Sequence, residues 1–137
     1  MATRHHARMA VVSLLYAYDL GNGSIAEHTD EILEEKKIRN KQKDFALALF
    51  DGVMKHLEIC DKAIVTHLKE WDFERLGSIE RATLRLASYE ILYGELDSAV
   101  VINEAVEITK AFGSEQSPKF INGVLDAIAR DKDVSGK

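Results

Sequence analysis

The sequence predicts an all-α globule of six to seven helices, and three observations carry that prediction. Apolar residues recur at steps of three and four almost throughout, which is the helical period. No stretch alternates at period two for a useful length, and VVIN (100–103) is too short to count as a strand. The single proline, Pro118, sits in a helix stop-and-start signal and not inside a periodic run. At 137 residues the chain reads as one domain able to bury a true core. It divides into an N-terminal helical half over about 1–69, a C-terminal half over about 70–132 and a fraying tail, 133–137.

From 4 to 19, Ala7, Val11, Leu14, Leu15 and Tyr18 keep one face until Gly21 and Gly23 end the helix. Ser24 with Glu27 is a capping-box pattern that opens a short second helix running to about Lys36. After the basic connector KKIRNKQK, one stripe holds Ala46, Leu49, Phe50, Val53, Leu57, Cys60, Ile64 and Leu68. At ~1.5 Å per residue, 42–69 reads as a rod of roughly 42 Å, bent near Gly52. WDFERLGS is a junction with a short helical turn, and Ser78 caps the next helix. That helix has Ile79, Ala82, Leu86, Tyr89 and Tyr93 on one face and Leu84, Ile91 and Leu92 on others. Apolar residues on more than one side mark a central helix. Residues 99–112 form another, with Gly113 as its terminating glycine. Ser117 and Pro118 are an N-cap and first-turn pair for the last helix, which turns Ile121, Val124, Leu125 and Ile128 inward.

Net charge is −5, from 18 Lys and Arg against 23 Asp and Glu, which argues against binding nucleic acid through overall positive potential. The cations are nevertheless sorted. Arg4, His5, His6 and Arg8 cluster near the start, Lys36, Lys37, Arg39, Lys41 and Lys43 lie in the connector, and Lys110 and Lys119 flank the late turn. No apolar run approaches the ~20 residues of a membrane span, and the basic-then-apolar start has no small-residue cleavage site. The lone Cys60 excludes an internal disulfide and suits a reducing cytoplasm, and its place on the apolar stripe makes it a small buried hydrophobe. Catalysis finds no support: there is no phosphate loop, dinucleotide fingerprint or nucleophile elbow, and hence no cofactor site. His5 and His6 point about 100° apart, and His56 and His67 are eleven residues apart, so neither pair chelates a metal. Glu90 falls on an apolar face, where an acid must be paired, hydrogen-bonded or protonated; an Arg or a helix N-terminus is the expected partner.

On a helical wheel with Arg4 at zero, Arg8 falls near ~40°, His5 near ~100° and Tyr16 near ~120°, against a core centred near ~310°. Arg4, His5, Arg8 and Tyr16 therefore form a stripe beside the buried face, where cations can meet phosphates and a ring can stack a base. Phe112 and Phe120 lie at the margins of their apolar faces, with Lys119 nearby. Two readings stay open: an RNA surface, or a non-catalytic helical interaction module without specific RNA binding, whose rings only close the turn.

HHARMAVVSLLYAYDL, LRLASYEILYG and VVINEAVEITKAFGSEQSPKFINGVLDAIA resemble the NusB family of bacterial transcription antitermination factors over roughly 4–130. INEAVE, KAFG and KFINGVLD, in order and closely spaced, are the most specific of these motifs. The resemblance implies two packed helical bundles and no catalysis. It implies binding of boxA-like RNA in a heterodimer with NusE, a small-subunit ribosomal protein. It also implies indirect association with RNA polymerase and other Nus factors during ribosomal RNA transcription, and it allows a homodimer of the free protein. Carried over by motif, the RNA-binding positions are Arg4, His5, His6, Arg8, Tyr16, Phe112, Gln116, Lys119, Phe120 and Asn122. The partner-binding positions are Glu74 and Glu80, with Arg85 beside them, and Tyr16, which borders both surfaces. His5 and His6 stand where relatives usually carry Arg or Lys, and histidine is mostly uncharged at neutral pH. Gln116 replaces a frequently acidic residue.

Overall fold

A computed structural model describes residues 3–69, 72–113 and 118–134, with the side chains of 133 and 134 left aside. Seven α-helices run through them: α1 Arg4–Asp19, α2 Thr29–Glu35, α3 Asn40–Lys55, α4 Leu57–Thr66, α5 Ser78–Tyr93, α6 Ser98–Ala111 and α7 Pro118–Val134. Two 3-10 segments, Gly23–Glu27 and Phe73–Arg75, join α1 to α2 and α4 to α5. There is no strand among the described residues, and no helix there is long and apolar enough to cross a membrane.

Local chemistry sets the boundaries. Thr3 caps α1: its hydroxyl accepts from His6 N–H at 3.2 Å, while its own N–H donates to His6 Nδ1 at 3.3 Å. This is a capping box in which an imidazole takes the place of the usual Glu or Gln. Gly113 closes α6 at φ +71°, a conformation that costs glycine nothing, and Pro118 opens α7. Two expected caps are not formed. Ser24 lies inside the first 3-10 segment, its hydroxyl donating to Asn22 Oδ1, so that segment does not start the second helix. Gly77, not Ser78, is the N-cap of α5.

The expected rod over 42–69 is two helices, not one. At His56 (φ −114°, ψ 23°) the chain leaves helical geometry, and the His56 Nδ1–H donates to Gly52 O at 3.0 Å, alongside the backbone N–H bond from His56 to the same oxygen. A side chain that competes for a helical carbonyl ends the ladder there. Gly52 has a packing role in addition, since a Cβ at this position would collide with the Tyr89 ring. Tyr89 cannot swing away easily, because it is stacked with His56 and Tyr93 at ring-centroid distances of 5.8 and 5.5 Å. Gly52→Ala should therefore lose stability despite the ~1 kcal/mol that alanine gains over glycine in a helix. Overpacking of about 1–3 kcal/mol outweighs it, readable as a lower urea midpoint.

The interior falls into two apolar clusters. Leu14, Leu15, Leu33, Phe50 and Val53 centre the first; Ile64, Ile91, Ile121, Leu125 and Ile128 centre the second. α5 feeds both, giving Ala82 and Leu86 to one and Leu84, Ala87 and Ile91 to the other, which makes it the central helix its pattern predicts. Cys60 is fully buried, and burial, with the neighbouring Asp61 charge, pushes its thiol up to about 12. It packs as an apolar side chain and carries no thiolate at neutral pH.

Candidate nucleic-acid interface

The cationic stripe expected along α1 is divided among three neighbours. Arg8 is not at its edge but inside, 5% exposed, and its Nε and Nη2 donate to Glu90 Oε2 and Oε1, both at 2.9 Å. Its Nη1 lies 3.6 Å from Glu104 Oε1 on α6. Burial works against the Arg8 charge, but the hydrogen bonds and charges of Glu90 and Glu104 more than offset it and raise the pKa. Arg8 therefore lies inside the fold, not at the edge its wheel position predicts, with its fork filled by Glu90 and Glu104. The carboxylate expected to need an Arg on α5 and the Arg expected to meet phosphate satisfy each other.

His5 also turns to α6, with Nδ1 donating to Glu104 Oε1 at 2.9 Å. Arg4 is exposed and lies over the Phe45 ring of α3, 4.3 Å from its centroid. It lines a groove of about 410 Å³ with Tyr89, Tyr93 and Glu95. His6 faces elsewhere. It is exposed and, together with Phe112 from the end of α6 and Lys36, Lys37 and Ile38 from the α2–α3 turn, it lines an open groove of about 480 Å³. Because His6 Nδ1 accepts from Thr3, Nε2–H is the imidazole's outward donor. Tyr16 is 37% exposed, three turns further along α1.

Phe112 is half-buried against the first cluster and Phe120 half-buried against the second, so each ring has a packed side and an accessible one. Lys119 and Asn122 are exposed on the first turns of α7 and line a second groove of about 620 Å³ with Asn103 and Asp126. Gln116 lies outside the described residues. His6 of α1 and Phe112 at the end of α6 thus line one groove, while His5 and Arg8 meet α6 at Glu104.

The partner-binding positions divide in the same way. Glu74 is exposed on the second 3-10 segment, its N–H donating to Asp72 Oδ1. Glu80 is 5% exposed beneath Gly77, where a Cβ would strike its Oε1, so this carboxylate is interior and not a surface charge. Arg85 is 7% exposed and donates to both oxygens of Asp61 at 2.8 and 3.0 Å and to Asp19 at 3.1 Å. Both are buried in the fold, and Arg85 spends its guanidinium on Asp61 and Asp19. Sequence reading missed the centre of this network, Arg81. It grips Asp19 through Nη2 at 2.7 Å and holds the carbonyls of Phe73 and Leu76 through Nη1 at 3.1 and 2.7 Å. The i, i+4 spacing of Arg81 and Arg85 was the available signal, since it puts two guanidiniums on one helical face.

The fold and these grooves define a helical protein of the binding kind: Arg8, Arg81 and Arg85 are held in ion pairs inside, and accessible rings and cations border open grooves. The chain belongs to the NusB family, whose model matches residues 5–130. The transcription antitermination protein NusB of Sulfurimonas denitrificans is 84% identical over 132 residues, covering 96% of this chain and all of that protein. Among solved structures, a crystal structure of the antitermination factors NusB and NusE in complex with dsRNA is similar at TM-score 0.83 and 34% identity, covering 93% of this chain and 96% of that one. The solution structure of NusB from Aquifex aeolicus is similar at TM-score 0.83 and 36% identity, covering 100% and 94%.

Proposed function

We propose that this chain is a non-catalytic, cytoplasmic transcription antitermination factor that binds boxA-like RNA together with NusE and supports antiterminated transcription of ribosomal RNA operons. The observation that carries the reading is the groove where His6 of α1 meets Phe112 of α6. A concave surface with an accessible ring and hydrogen-bond donors suits an unstacked, single-stranded RNA, whose bases can lie on the ring. Lys119 and Asn122 offer a second groove at the start of α7, with the half-buried Phe120 ring between them in sequence, and the solved NusB–NusE complex with dsRNA supports a fold of this kind working beside that partner. Tyr16 and Glu74 are the accessible positions for the protein partner, whose basic character complements an acidic chain. RNA polymerase and other Nus factors join through that complex.

The test is a gel shift with a boxA-like RNA and a scrambled control, with and without NusE. Binding of the boxA-like RNA should exceed the control and strengthen when NusE extends the surface. Phe112→Ala should remove ~1–3 kcal/mol of RNA affinity. Its stability loss should stay below the ~3–5 kcal/mol of a fully buried phenylalanine, because only one side of the ring is packed. Lower stability with unchanged RNA affinity in the folded protein would favour an interaction module in which the ring is only a plug.

A further inference from the structure

We propose that Lys36 and Lys37, in the turn between α2 and α3, are phosphate-gripping residues of the RNA groove, working with Phe112 as one nucleotide subsite. The inference rests on the RNA-binding reading and deepens it, because it supplies the cations that Arg8 and His5 do not.

The run from Lys36 to Lys43 carries five cations, and the structure sorts them. Arg39 pairs with Glu34 at 3.2 Å, and Lys43 pairs with Asp30 and Glu34 at 2.7 and 2.8 Å, so these two face carboxylates. Lys36 and Lys37 are exposed, and neither pairs with a carboxylate among the described residues. They are held in place by the backbone. Lys37 adopts φ +62°, its N–H donates to Glu34 O at 3.0 Å, and the next residue, Ile38, is buried with its N–H on Leu33 O at 2.9 Å. Anchoring Ile38 in the first cluster fixes the roots of both lysines at the groove wall, opposite Phe112.

The lining decides what such a groove can take. Among the described residues no carboxylate borders it, whereas Asp126 lines the α6–α7 groove and Glu95 the groove beside Arg4. Two adjacent ammoniums, an imidazole N–H and a half-exposed ring in one concavity match a phosphate with its base: lysine meets the phosphate as a point charge and the ring takes the base face. In an acidic chain this local balance decides where a polyanion can settle.

The test compares the full chain with NusE and a boxA-like RNA over a salt series, using Lys36→Gln/Lys37→Gln, Lys36→Arg/Lys37→Arg and, as a control, Lys55→Gln/Lys62→Gln, whose lysines do not line this groove. Each lost phosphate contact to a single strand lowers the slope of log affinity against log salt by ~0.7, so the glutamine pair should flatten it by about 1.4. The arginine pair and the control should keep the wild-type slope, and thermal unfolding should show all variants folded. If the wild type prefers the boxA-like RNA and the glutamine pair keeps its slope, this assignment is overturned while the RNA-binding reading stands. Failure of the wild type to prefer that RNA overturns both.

Discussion

Replacing Arg8 with Ala should destabilise the protein by about 3–5 kcal/mol, among the largest effects of any single substitution of a charged residue here. The magnitude comes from what is left behind. Glu90 is 6% exposed and receives both Nε and Nη2 of Arg8, so truncation strands a carboxylate in the interior with its desolvation uncompensated. Glu104 loses its guanidinium neighbour and keeps the hydrogen bond from His5. Because one guanidinium ties α1 to α5 and α6 together, the loss should appear as a large fall in the urea midpoint, not as local fraying. Replacing both members by Arg8→Met and Glu90→Leu should recover most of the loss, since apolar residues of similar volume remove the desolvation on both sides. The same double variant has a functional use. If Arg8 is structural, the salt slope of RNA binding is unchanged in it; a slope flattened by ~0.7 would return Arg8 to the RNA surface.

That prediction also marks where sequence reading stops. Helix positions were legible because the apolar period, Gly113 and Pro118 act through the local backbone. The place of Glu90 in the core was legible too, since its own helix puts it among apolar residues. The burial of Arg8 was not legible because a wheel describes one helix, and at ~40° from Arg4 the residue sits where the neighbour decides. The neighbours that cover it come 82 and 96 residues later, as Glu90 and Glu104. The burial of Glu80 and Arg85 was hidden for the same reason: the turn at Gly77 and the end of α1 close over a face of α5 that reads as polar. The break at His56 was hidden differently. Its imidazole bonds the carbonyl one turn back, a local competition that apolar periodicity does not register. The motifs at the carboxyl end were informative because they combine tight turn chemistry with rings at the edge of a packed face, a combination that composition alone does not produce.

Asp19→Ala should cost about 3 kcal/mol, the lower end for a broken buried pair, because Arg85 keeps Asp61 while Arg81 loses its only carboxylate among the described residues. The loss reaches the proposed partner face through geometry. Arg81 Nη1 holds the carbonyls that shape the 3-10 turn carrying Glu74, so a guanidinium released from Asp19 loosens the turn beneath Glu74, the proposed partner contact. Binding of NusE should weaken in parallel with stability, while Glu74→Gln should weaken it with stability unchanged. Acid titration separates the Asp19 charge from its shape. Burial pushes the Asp19 carboxyl up, but hydrogen bonds from Arg81 and Ser78 and the charges of Arg81 and Arg85 hold it below the usual value. A depressed folded pKa gives stability that is full above the unfolded aspartate value of ~3.9 and is lost as pH falls through the folded one. Asp19→Asn keeps the side-chain shape and drops the charge. Its stability deficit against wild type should be constant from about pH 7 to 5 and shrink below the unfolded aspartate value of ~3.9 as the wild-type carboxyl protonates. A deficit independent of pH would assign the effect to packing, and the two arginines would then be held by Asp61 and the turn carbonyls alone.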